Sequence, residues 1–170
     1  MLKTSPKPGA NTGAAAADTA KKDKTCNCRK AADCPLQGNC LVSAIIYKAT
    51  VTTPGSDVKQ FYVGNTSTTF KKRFYNHTSD KAHVEKRTST MLSRHIWKLR
   101  DSNKEPTISW SIQKQAFPYQ CGSKKCDLCL SEKREILRLH GPNLLNKRSE
   151  IAGKCRHKDS FKLCKAMGVT

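Results

Sequence analysis

The 170-residue sequence is poor in acidic side chains and has no long apolar run. Asp and Glu together number 13 against 32 Lys and Arg, which gives a formal net charge of +19. This excess favours a polyanionic partner, because each phosphate that a cationic side chain neutralises releases counterions. No stretch reaches the roughly 18 consecutive apolar residues that a membrane-spanning helix needs. We therefore expect a nucleic-acid partner and no membrane.

A hydrophobic signal core is also missing from residues 1–25, which consist mainly of Ala, Gly, Pro, Ser, Thr and Lys. A segment with so few large apolar side chains cannot bury enough surface to offset the entropy of ordering it. We predict a disordered basic tail over 1–25, one domain over 26–164 and a C-terminal tail over 165–170. Without a signal core, a nuclear or otherwise intracellular location is expected.

Cysteine, by contrast, is abundant, with nine residues. In a reducing compartment metal binding is a more usual role than disulfide formation, and an odd count fits complete pairing poorly. The cysteines form three groups along the chain: Cys26, Cys28, Cys34 and Cys40; Cys121, Cys126 and Cys129; and Cys155 with His157, then Cys164. Cys126-x-x-Cys129 has knuckle-type spacing. We predict structural zinc held by a subset of Cys34, Cys40, Cys126, Cys129, Cys155 and His157; reduced, buried thiols are the alternative.

Hydrophobic periodicity predicts an α+β domain with a small antiparallel three-stranded sheet flanked by helices. Pro54-Gly55 marks the turn between the first two strands, and Gly141-Pro142 ends the last long helix. The predicted strands cover residues 41–51, 58–64 and 107–113. The predicted helices cover 67–79, 89–100, 128–140 and 143–152.

Glu132 is the most informative single residue. On a helical wheel of about 100° per residue, it falls between Leu139 and Ile136, inside the apolar stripe of the last long helix. Burial of an unpaired carboxylate is costly, so Glu132 requires a cation, a set of hydrogen bonds or a water-filled cleft. A metal ligand in a cleft is the functional interpretation, and an ion pair with a nearby Lys or Arg is the structural one. Glu135 lies only at the edge of the stripe.

Four further polar side chains accompany Glu132. Tyr47 and Tyr62 lie on the two strands of the predicted hairpin, so that their hydroxyls can converge on one face. Arg73 and His77 are one turn apart on the first long helix. Each residue alone is more typical of a half-buried strand or a solvated helix face. Together the five residues offer what phosphodiester cleavage needs: acid–base groups, charge stabilisation at a phosphate and a ligand for a divalent ion.

Several ordered motifs over residues 26–164 resemble the GIY-YIG endonuclease domain of Penelope-like retroelements. The motifs include Cys34-Pro35-Leu36-x-Gly38-x-Cys40, Ile45-Ile46-Tyr47, Phe61-Tyr62-Val63-Gly64, Thr69-Phe70-Lys71-Lys72-Arg73, Lys125-Cys126-x-Leu128-Cys129, Leu144-Leu145-Asn146 and Cys155-Arg156-His157. The sequence departs from the family pattern in reading Ile-Ile-Tyr for Gly-Ile-Tyr and Tyr-Val-Gly at the second motif, but both tyrosines are kept.

The resemblance implies roles for six residues. Tyr47 and Tyr62 match the tyrosines of the two family motifs, and Arg73 matches the arginine that contacts the scissile phosphate. His77 matches a position often held by histidine or tyrosine. Glu132 matches the glutamate that binds Mg²⁺ or Mn²⁺, and Asn146 matches an asparagine that supports the site. The family's Penelope branch also carries a Cys/His metal-binding element, and Cys34 and Cys40 fit its upstream cysteines.

The expected function is therefore a DNA endonuclease that nicks double-stranded DNA with one divalent metal ion. The resemblance further implies target-primed integration, with a reverse transcriptase domain or RNA as partner in a parent polyprotein. A non-catalytic, zinc-stabilised nucleic-acid-binding module is the main alternative. A secreted, disulfide-rich cationic protein is a third hypothesis, which the missing signal core opposes. The sequons Asn65-Thr66-Ser67 and Asn76-His77-Thr78 are then incidental.

Overall fold

A three-stranded antiparallel sheet forms the centre of the protein, as seen in a computed structural model that describes residues 24–120, 123–155 and 157. The strands are β1 (Ile45–Thr52), β2 (Gln60–Thr66) and β3 (Thr107–Gln115). β1 is central and pairs with both neighbours. The α+β class and the antiparallel three-stranded sheet are thus confirmed. Most of the predicted N-terminal tail and all of the C-terminal tail lie outside the described residues.

Among the described residues, four α-helices flank the sheet: α1 (Phe70–Ala82), α2 (Met91–Asp101), α3 (Asp127–Arg138) and the short α4 (Arg148–Ala152). α1, α2 and α3 lie within a few residues of their predicted bounds. The predicted helix over 143–152 is wrong in its first half. Residues 143–145 instead run beside β2, where the Phe61 N–H donates to the Asn143 carbonyl and the Leu145 N–H donates to the Phe61 carbonyl. These bonds cover an edge that would otherwise leave backbone groups unpaired.

The β1–β2 hairpin turns where Pro54-Gly55 predicts it. The Ser56 N–H donates to the Thr53 carbonyl at 3.1 Å, and Gly55 has a φ of 76°. A positive φ at the residue after proline defines a type II turn, which glycine adopts without strain. The turn fixes the register in which Tyr47 stands opposite Gly64.

Alternate residues of β1 enter two separate cores. Ile45, Tyr47, Ala49 and Val51 pack with side chains from α1 and α2 on one face. Ile46 packs on the other face with Val63 and with residues of α3 such as Leu128 and Ile136. Both faces are covered at the start of β1, where the three residues Ile45–Tyr47 are all buried. From Lys48 onward, polar residues alternate with apolar ones.

Residues that bear on the site therefore come from both sides of one thin sheet. α1 brings its polar side chains to one face, and α3 brings its own to the other. In the described part of the chain, no helix combines the length and apolar character needed to cross a bilayer.

Candidate functional site

Tyr47, His77 and Arg73 form a hydrogen-bonded group beneath the sheet. Tyr47 is 0% exposed and His77 is 2% exposed. The Arg73 Nε–H donates to the Tyr47 hydroxyl at 2.9 Å, and that hydroxyl lies 2.8 Å from His77 Nε2. With its oxygen accepting from Arg73, the Tyr47 O–H is directed to His77, whose Nε2 is then the acceptor. The chain of bonds links the first strand to the first long helix.

Burial sets the protonation of this group. Burial raises the pKa of Tyr47 to about 12, against an opposing effect of the nearby Arg73. Burial, together with the positive charges of Arg73 and Lys81, lowers the pKa of His77 to about 3. At neutral pH the group is therefore a neutral phenol, a neutral imidazole and one guanidinium, which fits the donor and acceptor roles that the distances require.

Gly64 is part of the same arrangement. A Cβ atom at this position would lie 2.4 Å from the Tyr47 hydroxyl oxygen and 2.6 Å from its ring carbon. No real side chain tolerates such contacts without displacing the phenol. The glycine of the Tyr-Val-Gly motif thus makes space for the tyrosine of the opposite strand.

Glu132 lies on α3, half-buried, on the opposite side of β2 from Tyr47. Its Oε2 accepts a hydrogen bond of 2.5 Å from the side-chain amide of Asn65. Burial raises the pKa of Glu132 above its ordinary value, the Asn65 amide opposes the shift, and the like charge of Glu150 adds to it. Among the ion pairs of the described residues, Glu132 takes part in none.

A polar cleft of about 860 Å³ joins the two sides of the site. Arg73 from α1, Tyr62 from β2 and Glu132 from α3 all line it. Tyr47 and His77 do not line the cleft: Tyr47 bonds to Arg73, and His77 bonds to Tyr47. The other lining residues are Gly64, Asn65, Asn76, Ser79, Asp80, Lys86, Ser89, Thr90, Met91, Cys129, Lys133, Ser149, Glu150, Gly153, Lys154 and His157.

Tyr62 and Asn146 hold different positions at this cleft. Tyr62 is buried, its ring lies 6.1 Å from that of His77, and burial raises its pKa. Asn146 imitates a backbone group: its Oδ1 accepts from the Val63 N–H at 2.8 Å, and its Nδ2 donates to the Val63 carbonyl at 2.9 Å. The same amide also donates to Glu150 at 2.5 Å. Asn146 therefore fixes the segment before α4 to the edge of β2.

Two clusters of cysteine and histidine are arranged as metal sites would be. In the first, Cys26, Cys28, Cys34 and Cys40 bring their sulfurs within 4.8 Å of one another. The Cys40 sulfur lies 3.5 Å from that of Cys26 and 3.7 Å from that of Cys28. Tetrahedral zinc, about 2.3 Å from each sulfur, requires roughly 3.8 Å between sulfurs, and a disulfide requires about 2.05 Å. The spacing fits a metal and not a disulfide.

The second cluster consists of Cys126, Cys129, Cys155 and His157. The His157 Nδ1 lies 3.4 Å from the Cys126 sulfur and 3.2 Å from the Cys129 sulfur, and the Cys129 and Cys155 sulfurs are 3.5 Å apart. Cys126 precedes the first residue of α3, and Cys129 lies one turn before Glu132 on the same helix. This cluster therefore adjoins the cleft, which Cys129 and His157 both line.

The six predicted zinc ligands are all in these clusters, but they are divided between two sites. Cys34 and Cys40 belong to the first cluster, where Cys26 and Cys28 complete the set. The sequence grouped those two cysteines with Cys34 and Cys40, but the predicted ligand set included only the two that the resemblance favours. Cys121 and Cys164, which the sequence groups with the others, lie outside the described residues. Both clusters can hold a metal ion, and four cysteines or three cysteines with one histidine are donor sets typical of structural zinc.

Asn65 and Glu150 are the polar cleft residues that sequence reasoning missed as parts of the site. Asn65 is the first residue of a sequon. A glycan would be attached to its Nδ2, yet this atom donates a hydrogen bond to Glu132. In the second sequon, the central residue His77 is buried. The alternation along β2 was the available signal: Asn65 is two residues beyond the apolar Val63 and so shares its face.

Comparison of the chain with models of protein families, with curated proteins and with solved structures returned no match.

Proposed function

We propose that this protein is a DNA endonuclease that nicks double-stranded DNA by hydrolysis with one Mg²⁺ or Mn²⁺ ion. Glu132 carries the proposal. Glu132 is a half-buried carboxylate that lines a polar cleft and takes part in none of the ion pairs among the described residues. The hydrogen bond from Asn65 offsets part of the cost of its burial, and a cation in the cleft would offset more of it. Carboxylate oxygen is the ligand that both ions prefer. The formal net charge of +19 supports a phosphate-rich substrate.

The side chains of the cleft have separable tasks in this proposal. Arg73 donates one N–H to Tyr47 and offers its terminal amino groups to the scissile phosphate, where charge develops as water attacks. Tyr47, with a pKa of about 12, fixes the orientation of Arg73 and passes its own hydrogen bond to His77. Tyr62 contributes a phenol to the cleft beside the attacking water.

The divalent ion, when bound by Glu132, supplies polarisation of a phosphate oxygen and of the attacking water. Structural zinc in both Cys/His clusters is the second part of the proposal. The first cluster lies at the start of α1, which carries Arg73, and the second lies at the start of α3, which carries Glu132. Zinc would thus hold in place the two helices that supply the reacting groups.

The family that the sequence resembles gives the biological setting that we propose. The nick would supply a 3′ end for target-primed integration of a retroelement. A reverse transcriptase domain, or RNA bound by a parent polyprotein, is the proposed partner, and the nucleus is the proposed location.

Plasmid nicking tests the activity. The wild-type protein, incubated with supercoiled plasmid and Mg²⁺ or Mn²⁺, is expected to produce open circles. Glu132→Ala should lower the nicking rate about 100-fold or more, since the lost metal interaction contributes several kcal/mol to the transition state. DNA affinity should stay within about twofold, because the number of phosphate contacts is unchanged.

Glu135→Ala is the matched control, on the same helix. Glu135 pairs with Arg138 and does not line the cleft, so its variant should nick at the wild-type rate. Equal rates for Glu132→Ala and the wild type would contradict the assignment of Glu132 to the metal.

A second candidate function is a zinc-stabilised nucleic-acid-binding module without catalysis. The two metal clusters and the basic charge favour it. It assigns no role to a half-buried carboxylate facing the cleft. This candidate would be favoured if the zinc-loaded wild-type protein bound DNA tightly but left plasmid supercoiled with either Mg²⁺ or Mn²⁺.

A further inference from the structure

We propose that Asn65 is a positioning residue for Glu132. The side-chain amide of Asn65 binds one carboxylate oxygen of Glu132 and leaves the other oxygen for a divalent cation in the cleft. The inference rests on the proposed function, since it assigns Asn65 a role at the same metal site. It adds a residue that neither the motifs nor the resemblance identifies.

The contact between the two side chains is direct. The Asn65 Nδ2–H donates to Glu132 Oε2 at 2.5 Å, and both residues line the same cleft. A hydrogen bond to an ionised acceptor is shorter and about twice as strong as one between neutral groups. Asn65 is thus able to hold the carboxylate of Glu132 in one rotamer.

The register of the sheet places Asn65 where this bond can form. Asn65 stands opposite Ile46, and residues opposite one another in an antiparallel pair share a face. Ile46 packs in the core formed with α3, so Asn65 faces α3 and Glu132 as well. A slip of one residue would move Asn65 to the other face. The bond therefore depends on the same register that brings Tyr47 against Gly64.

The charges around Glu132 show why a neutral donor is suited to this position. Glu150, from α4, repels the carboxylate, and Arg73, from α1, attracts it across the cleft. A lysine or arginine in place of Asn65 would neutralise Glu132 and compete with a metal ion. An amide donates a hydrogen bond without cancelling the charge, so that it orients the ligand and preserves its attraction for a cation.

Binding of Mn²⁺, followed by electron paramagnetic resonance, tests this role apart from catalysis. The protein is used as purified without chelator, so that zinc stays in place. Asn65→Ala is expected to raise the Mn²⁺ concentration for half-saturation about 10- to 100-fold, as the loss of other outer-shell partners of metal ligands does. Asn65→Gln retains the donor and should recover part of the affinity.

Three controls separate positioning from folding. Gln60→Ala removes a carboxamide from the same strand but outside the cleft, and should leave Mn²⁺ affinity unchanged. Asn65→Val keeps strand propensity while removing the amide, and so supplies a folded variant if alanine weakens β2. Thermal unfolding of each variant identifies those that are folded.

The outcomes distinguish this inference from the proposed function. Weaker Mn²⁺ binding by folded Asn65→Ala or Asn65→Val supports it. Wild-type affinity in both variants, with binding abolished by Glu132→Ala, overturns the role of Asn65 and leaves the metal site intact. Equal Mn²⁺ binding by the wild type and Glu132→Ala overturns the metal assignment itself, and the role of Asn65 falls with it.

Discussion

At the scale of single residues, the orientation of Arg73 depends on a phenol that does not itself line the cleft. Tyr47 is fully buried, accepts from Arg73 and reaches His77 in turn. Because burial keeps Tyr47 and His77 neutral, Arg73 retains its full charge toward the cleft. In the proposed mechanism, the tyrosine and the histidine would therefore act on the substrate through the arginine.

Substitution of Arg73 by lysine tests this division of tasks. An ammonium group keeps the charge but cannot donate to Tyr47 and present two further donors to a phosphate at the same time. We expect Arg73→Lys to reduce the plasmid-nicking rate about 100-fold at fixed salt, the effect of removing one preorganised donor. Lys72→Ala, on the exposed side of the same helix, is the control and should nick normally. Full activity of Arg73→Lys would show that only the positive charge of Arg73 matters for nicking.

At the scale of the elements, the β1–β2 hairpin positions side chains on both sides of the site. β1 carries Tyr47 toward α1, whereas β2 carries Asn65 toward α3. Because Gly64 has no side chain, the two strands can pair while the Tyr47 side chain lies directly against Gly64. Asn146 then binds both backbone groups of Val63 and so fixes the outer edge of the hairpin.

A methyl group at Gly64 should disturb the hairpin and the site together. Its Cβ would lie 2.4 Å from the Tyr47 hydroxyl oxygen. We expect Gly64→Ala to lower the free energy of unfolding by about 1–3 kcal/mol, the usual cost of overpacking a core. Urea denaturation measures this change.

Gly141→Ala provides the comparison for this substitution. Its nearest contact, a backbone oxygen of Leu139, would be 3.9 Å away, so that the added methyl group has space. A free energy of unfolding near that of the wild type is expected. If the two alanine variants were equally stable, the close approach of Tyr47 to Gly64 would not be a constraint on the fold.

At the scale of the whole molecule, the two Cys/His clusters hold the ends of different helices. The backbone N–H groups of Phe70 and Lys71, at the start of α1, donate to the carbonyls of Val42 and Cys40. The first turn of a helix has no partners of its own for these groups. The second cluster joins the start of α3 to the segment that follows α4. Metal binding is therefore expected to stabilise both walls of the cleft.

Elemental analysis of protein purified without chelator should give two zinc ions per chain, one for each cluster. Strong chelation should lower the melting temperature by about 10 °C or more, because zinc binds only the folded site and its binding energy is folding energy. Removal of Mg²⁺ should have little effect on melting. A zinc content near zero, with melting unchanged by chelator, would leave these cysteines as buried thiols.

Single cysteine variants test the division into two sites. Cys34→Ser and Cys129→Ser should each retain about one zinc ion, since each removes a ligand of a different cluster. Cys164 is not among the predicted zinc ligands, so Cys164→Ser should retain two. Loss of both ions from either of the first two variants would contradict independent sites.

The sequence alone determined the kinds of elements and the residues from which both possible metal clusters are built. Apolar periodicity identified three strands and three long helices, because period is a local property that burial imposes on each segment. The same periodicity singled out Glu132 as a carboxylate inside an apolar stripe. The Pro54-Gly55 dipeptide identified the turn of the hairpin, because proline and glycine favour turn conformations. The prediction of a helix over residues 143–147 was wrong. Residues 143–145 bind along the edge of β2, and Asn146 binds the same edge through its side chain.

Only the tertiary structure decided which residues meet. The sequence grouped Cys26 and Cys28 with Cys34 and Cys40, but only the folded structure shows that all four sulfurs meet at one site. It also shows that Cys129 and His157 line the same cleft as Glu132. The bond from Asn65 to Glu132 spans 67 positions and depends on the strand register and on the packing of α3 against β2. Such contacts are set by how whole elements pack, and local sequence patterns carry no record of that packing.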